Sequence, residues 1–284
     1  MKISNLIESK VNKHRQGIKI YWWRPDGSGK RNFGDEVTPV IIEKIWRTRC
    51  LWTRLADSEM VGAGSIIDIV NKYNPKGHLV NVWGSGLIED GPDINNRDIK
   101  FHLVRGPLTA SRIPNNTNIP IGDPGLLVSR VFPRSDTKTH KVGFVLHMKD
   151  IESSEVQQLA DRCLIISPYQ TPEKVAKDIT SCELIFSSSL HGLIFADSFG
   201  VPNFRVKHND LEGGDYKFED YYQSTNRNPQ NFSFSDILRV IKSDARVEEI
   251  INNYKPIMNL VKMQDVIEGS FPYHDRSLQK VSGE

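Results

Sequence analysis

The chain has 284 residues, 38% of them hydrophobic and 25% charged, with a formal net charge of +2. That length favours two domains of ordinary size, and the near balance of charge gives no support for a nucleic-acid binder, which usually shows a basic stripe. The first residues hold no apolar run of signal-peptide length, no stretch approaches a membrane span, and three scattered cysteines (Cys50, Cys163, Cys182) fit a reducing, cytoplasmic compartment rather than a disulfide framework or zinc site.

In chain order, Met1–Gln16 reads as a polar helix or arm and Ile18–Trp23 as a first buried strand. The loop Arg24–Asp35 follows, with glycines at 27, 29 and 34. A helix then starts near Thr38 and Pro39 and carries Val40, Ile41 and Ile45 on its apolar face. Basic residues and tryptophans crowd its far end, from Trp46 to Arg54. Met60–Ile67, Leu79–Gly86, Phe101–Leu108 and Ile121–Leu127 are short apolar runs that meet small-residue turns. Phe132–His140 is polar and reads as a linker. Beyond it come strands at Lys141–Leu146, Leu164–Ser167, Leu184–Phe186 and Asn203–Val206. Helices are expected at Thr171–Ser181, from Leu190, at Phe234–Ile241 and at Val247–Met258, and a polar tail from Gln264 is expected to fray. Strands alternating with helices predict parallel α/β sheets, whose ligands sit at the carboxyl ends of the strands. Every small-residue turn falls at such an end.

Several residues stand where chemistry is expected. The turn Ser187-Ser188-Ser189 runs into a helix that Gly200 and Pro202 stop, and His191 lies in its first turn. A helix N-terminus offers unpaired N–H groups and partial positive charge to an anion. On the turn alone, capping serines and a surface histidine are the plainer reading. Arg105 precedes Gly-Pro at a strand end; its planar fork suits a carboxylate or phosphate, or equally a salt bridge to a neighbouring acid. Asp35 reads as a base, a sugar-hydroxyl acceptor or a helix cap, the cap being favoured locally. Asp123 reads as a turn aspartate, and Lys207 and Lys217 as anion ligands or solvated charge. Trp22, Trp23 and Trp83 read as core. The stretch from Gly27 to Asp35 (GSGKRNFGD) resembles a phosphate loop but lacks P-loop spacing, and the eight histidines show no metal-binding spacing, so no metal is expected.

Taken in order, NFGD (Asn32–Asp35), WGSG (Trp83–Gly86), RGPLT (Arg105–Thr109), IGDP (Ile121–Pro124), SSSLHG (Ser187–Gly192), VPN (Val201–Asn203) and DYKFEDYY (Asp215–Tyr222) resemble the polysaccharide pyruvyl transferase family. Each piece is weak alone; their order at comparable intervals over residues 18–241 is specific. The resemblance implies an α/β fold of two Rossmann-like domains facing a cleft, as in GT-B glycosyltransferases, with 1–135 on the acceptor side and 136–284 on the donor side. It implies transfer of an enolpyruvyl-derived group from phosphoenolpyruvate to two hydroxyls of a sugar, forming a cyclic pyruvate ketal. Phosphoenolpyruvate is the co-substrate, with no other cofactor. The implied acceptor is a lipid-linked oligosaccharide at the cytoplasmic membrane face, which leaves peripheral membrane contact open.

In that scheme His191 is the acid that protonates the methylene carbon, and Asp35 accepts the hydroxyl proton. Arg105, Ser187, Ser188, Ser189, Gly192, Lys207 and Lys217 are the implied donor contacts. Asn32, Gly34, Gly84, Ser85 and Asp123 are the implied acceptor contacts. Many family members carry Arg-Leu-His where this chain has Ser189-Leu190-His191, a form that resembles the branch modifying exopolysaccharide repeat units. The missing cation must then come from Arg105, Lys207 or Lys217. Two rivals share the fold: a GT-B glycosyltransferase using a nucleotide sugar, for whose base and ribose no motif is present, and a non-catalytic carbohydrate-binding protein.

Overall fold

The computed structural model describes residues 3–24, 30–73, 77–115, 118–207, 212–228 and 230–274. The glycines at 27 and 29, part of the loop after Lys207 and the final ten residues lie outside these. The first half holds α1 (Ile3–Asn12), β1 (Ile18–Tyr21), α2 (Phe33–Trp46), β2 (Cys50–Trp52), β3 (Met60–Val61), α3 (Ile67–Tyr73), β4 (Val80–Ser85), β5 (Ile99–Val104), α4 (Pro107–Ala110) and α5 (Val128–Val131). The second half opens with β6 (His140–Val145), α6 (Ser154–Leu159), β7 (Leu164–Ile166), α7 (Pro172–Thr180), β8 (Cys182–Ser187) and α8 (Leu190–Ser198). It closes with β9 (Asn203–Val206), α9 (Tyr216–Ser224), β10 (Asn231–Phe232), α10 (Phe234–Val240), α11 (Asp244–Asn253) and α12 (Leu260–Gly269).

The chain builds two parallel sheets of five strands, ordered β2-β1-β3-β4-β5 and β10-β9-β8-β6-β7. Read from its own first strand, each sheet has the doubly wound order 2-1-3-4-5, whose direction of winding reverses between strands one and three. One switch point therefore lies between β1 and β3, the other between β6 and β8. Ligands of open α/β sheets bind at such points, outside the carboxyl ends of the strands. Parallel strands covered on both faces read as unbroken apolar runs, and β8 does so with Leu184, Ile185 and Phe186 all at 0% exposure.

Three expectations change. The second helix begins at Phe33, five residues ahead of Thr38, because Asn32 caps it by accepting from Gly34 N at 2.8 Å; Pro39 sits inside it. Asp35 is thus a first-turn residue and not the cap. Helix α8 has no single apolar face: every residue from Gly192 to Ser198 is buried, because the helix lies between its own sheet and the first half. The segment from Gln264 does not fray at its start but forms most of α12, and it returns to the first sheet. Gln264 Nε2 donates to Leu126 O at 2.7 Å, Trp83 Nε1 donates to Ile267 O at 3.1 Å, and Phe271 stacks on Trp46 at 4.0 Å. Trp46 and Trp52 face inward at 7% and 4% exposure, so the tryptophans of Trp46–Arg54 are core. Among the described residues no helix is long and apolar enough to cross a membrane.

One apolar cluster joins both halves, running from Ile20 and Ile41 through Leu126 and Ile194 to Val145 and Ile185. Phe33, at the start of α2, meets Phe195 of α8 edge-on at 5.1 Å, and Phe33 N donates to Pro168 O at 3.0 Å. These contacts bring the amino ends of two helices, one from each sheet, to the same place.

Candidate active site at the two switch points

His191 is the second residue of α8, following Ser189 at the N-cap. The N–H groups of Leu190, His191 and Gly192 have no acceptor among the described residues, as expected for a first turn. The imidazole lies against the backbone of α2: a β-carbon on Gly34 would fall 2.2 Å from its Nδ1. Its Nε2 stands 3.8 Å from Asp123 Oδ1, has no hydrogen-bond partner among the described residues, and the side chain is only 11% exposed. Burial, with the nearby charges of Arg105 and then Lys217, pushes its pKa down to about 3. The ring is therefore neutral in the unliganded protein.

The two carboxyls near it move the other way. Burial, and secondarily Glu36, raises Asp35 to about 7 against the opposing pull of Lys217. Burial raises Asp123 to about 6, opposed by the hydrogen bond from Gly125 N and by Arg105. Asp123 Oδ2 is buried and has no partner among the described residues. Asp35 Oδ1 faces the turn after β3, where a β-carbon on Gly64 would lie 3.4 Å away.

The three cations named for the missing arginine differ sharply. Arg105 is wholly buried: Nε donates to Asp220 at 3.1 Å, Nη1 to Ser65 Oγ at 2.6 Å and Nη2 to Leu87 O at 2.6 Å. Of the two readings its sequence left open, the salt bridge is the one seen, and its charge reaches the site as a field. Lys207 is about half exposed and pairs with Asp215 at 2.5 Å. Lys217, in the first turn of α9, makes no hydrogen bond or ion pair among the described residues. Its pKa is lowered to about 8 by burial first, then by Arg105 and Arg205. An unpaired, partly buried ammonium beside other cations is held ready for an anion.

The remaining expected residues build the walls. Ser187 Oγ donates to Ser189 O at 2.7 Å and accepts from Ser189 N at 3.1 Å; Ser188 Oγ donates to Asp150 and accepts from His147 N at 2.9 Å. Ser189 makes no side-chain cap bond. Gly192 lets α8 press on the sheet, since a β-carbon there would meet Ser187 Oγ at 2.3 Å. Gly84, at φ +84, passes Pro124 so closely that a β-carbon would sit 2.1 Å from its Cδ. Ser85 is fully buried, donating to Gly64 O at 2.8 Å. Asn32 is occupied as the cap of α2. Together with Asp35, Asp123, Arg105, Lys217 and His191, these residues line the carboxyl-end edge of both sheets.

Two participants escaped the sequence reading. Asp220, at 0% exposure, accepts from Arg105 and from both N (3.0 Å) and Oγ1 (2.7 Å) of Thr109. Arg205, at 1% exposure, lies 3.7 Å over the Phe218 ring and pairs with Asp215 at 2.6 Å. The signal for Asp220 was present as the pairing of RGPLT with DYKFEDYY, but nothing in either segment says that one holds the other.

Residues 75–210 match the family model for polysaccharide pyruvyl transferase, a span that carries Arg105, Asp123 and His191. The succinoglycan biosynthesis protein ExoV of Rhizobium meliloti (strain 1021) is 29% identical over 199 residues, 65% of this chain and 58% of that protein, so the match spans less than two thirds of its length. The uncharacterised protein L143 of Acanthamoeba polyphaga mimivirus is 28% identical over 229 residues, 73% of this chain and 74% of that one. A crystal structure of a functionally uncharacterised Klebsiella pneumoniae protein superposes with a TM-score of 0.47 at 13% identity, covering 82% of this chain and 99% of the other. Over the matched span, just under half of the chain, the sequence is similar to the polysaccharide pyruvyl transferase family.

Proposed function

We propose that this protein transfers the pyruvyl group of phosphoenolpyruvate to a hydroxyl pair on a sugar of a bacterial polysaccharide or its lipid-linked repeat unit, forming a cyclic ketal. The observation that carries the reading is Lys217, an ammonium with no hydrogen bond or ion pair among the described residues and only the Phe218 ring against it, set beside the open first turn of α8. A compact, multiply charged donor is what such a site stabilises: helix N–H groups for phosphate or carboxylate oxygens, and an ammonium for the remaining charge.

The chemistry needs a proton delivered to the donor's methylene carbon, C3. The double bond becomes a methyl group, C2 becomes electron-poor, and a sugar hydroxyl adds there and loses its proton. The C2–O bond to phosphate then breaks, phosphate departs with the electron pair, and the second hydroxyl adds to C2 with loss of its proton. One phosphoenolpyruvate and one diol give one ketal and one inorganic phosphate.

Residue types alone make His191 the acid, but the protonation states favour the reverse. Asp35, titrating near 7, has a proton to give at neutral pH, whereas the neutral imidazole of His191 has a free lone pair. In this reading Asp35 protonates C3 and His191 takes the hydroxyl proton, with Asp123 beside Nε2 stabilising the imidazolium that forms. Thermal-shift titration tests donor identity: phosphoenolpyruvate raises the melting temperature and a panel of nucleotide sugars does not. The opposite pattern supports a nucleotide-sugar glycosyltransferase and removes the proposal.

A further inference from the structure

We infer that a cavity at the far end of α9 binds an acidic oligosaccharide. The cavity encloses about 910 Å³, and neither His191, Asp35, Asp123 nor Lys217 lines it. That volume lies near the top of the range for small-ligand sites, about 300–1,000 Å³. It sits at the opening end of β9, beneath the last turn of α9 and against the segment joining α11 to α12. Helix α9 thus carries Lys217 at one end, in the active site, and Tyr222 near the other, in this wall.

The chemistry of the wall selects the ligand. Among the described residues no aspartate or glutamate lines it. Arg227 is present but already neutralised by Asp197. Lys255 and Lys262 are exposed and have no ion pair among the described residues, which leaves two uncompensated positive charges at the wall. Between them amide and hydroxyl side chains such as Asn226, Asn228, Gln230 and Thr225 share the lining with apolar ones such as Phe204, Ile257 and Met258, a mix that can hydrogen-bond sugar hydroxyls and pack on the C–H faces of a sugar ring. Tyr222 adds a second observation: it is 5% exposed, and its hydroxyl has no hydrogen-bond partner among the described residues. A polyhydroxylated anion would satisfy it and pair both lysines.

The link to catalysis rests on the pyruvyl-transfer reading: each ketal adds a carboxylate, so a chain already modified is itself an acidic glycan that this surface would retain. The binding claim stands apart from that link. The test is calorimetric titration of the whole protein, without phosphoenolpyruvate, using a hyaluronan tetrasaccharide as the uronate probe and chitotetraose as the neutral one. The acidic probe should bind at least about tenfold more tightly than the neutral probe, a gap of about 1.4 kcal/mol. Lys255→Ala/Lys262→Ala, both changes being on the surface, should abolish that preference, and Tyr222→Phe should weaken binding several-fold at unchanged melting temperature. His191→Ala should leave binding intact. Absence of binding, equal affinity for both probes, an unaffected double-lysine variant, or loss of binding in His191→Ala would each overturn the proposal. Binding without any transfer activity in the wild type would remove the function proposed above and leave this site standing; transfer without binding would do the reverse.

Discussion

Gly34 and His191 touch across the two halves of the molecule, glycine backbone against imidazole, with no room for a β-carbon between them. The contact explains why NFGD and SLHG, more than 150 residues apart in sequence, belong to one site: the second helix is the surface that fixes the ring of the eighth. Alanine at 34 would drive the imidazole out of register while the surrounding core, held by Phe33 and Phe195, stays intact. Misplacing a reacting group by an ångström costs on the order of a hundredfold in rate. Gly34→Ala should therefore lower kcat by about that factor with little change in melting temperature, read from steady-state kinetics and calorimetry on one preparation.

The proton on Asp35 gives a pH signature with a definite sign. Its folded pKa, about 7, lies above the unfolded carboxylate value, so the native state holds more protons than the unfolded chain between about 4 and 7. Its contribution to stability falls as pH rises through that window. Asp35→Asn should abolish this fall and make the protein relatively more stable at pH 8 than at pH 5, by on the order of 2 kcal/mol. In the wild type kcat/KM should decline above about pH 7, as the carboxyl loses its proton. Denaturant melts and a pH–rate profile read the two effects separately.

Lys217 and Lys207 make a matched comparison, since one is unpaired and partly buried and the other is exposed and bridged to Asp215. A hydrogen bond to a charged group is worth about 1.5–3 kcal/mol, so Lys217→Ala should raise the KM for phosphoenolpyruvate about ten- to a hundredfold. Lys207→Ala should change it less than about threefold, in keeping with the small worth of exposed ion pairs.

Asp220 carries structure rather than chemistry. It is buried with Arg105 and Thr109, and removing one partner of a buried ion pair leaves the other uncompensated, at about 3–5 kcal/mol. Asp220→Ala should lower the urea midpoint accordingly, whereas Thr109→Ala, which leaves the ion pair intact, should cost about 1 kcal/mol.

The alternation of apolar runs and small-residue turns made two parallel sheets legible, because strands buried on both faces cannot look otherwise. The turns at their carboxyl ends were legible for the same reason. What the chain could not announce were long-range partners. Gln264 and Ile267 sit in a stretch polar enough to read as a tail, and residues such as Leu126 and Trp83, well over a hundred positions earlier, give that stretch a face to cover. Arg105 looked equally suited to a phosphate or an acid until Asp220 was found beside it. His191 looked like a histidine titrating near neutrality; burial against α2 and the charges of Arg105 and Lys217, none of them sequence neighbours, decide that it is not.

The most direct measurement is the joint yield of inorganic phosphate and ketal-bearing sugar when the protein meets phosphoenolpyruvate and a candidate acceptor diol. The account predicts equal amounts of both from the wild type, none of either without acceptor, and none from His191→Ala folded to the wild-type melting temperature. Phosphate released without modification of the sugar, or an undiminished yield from His191→Ala, would contradict it.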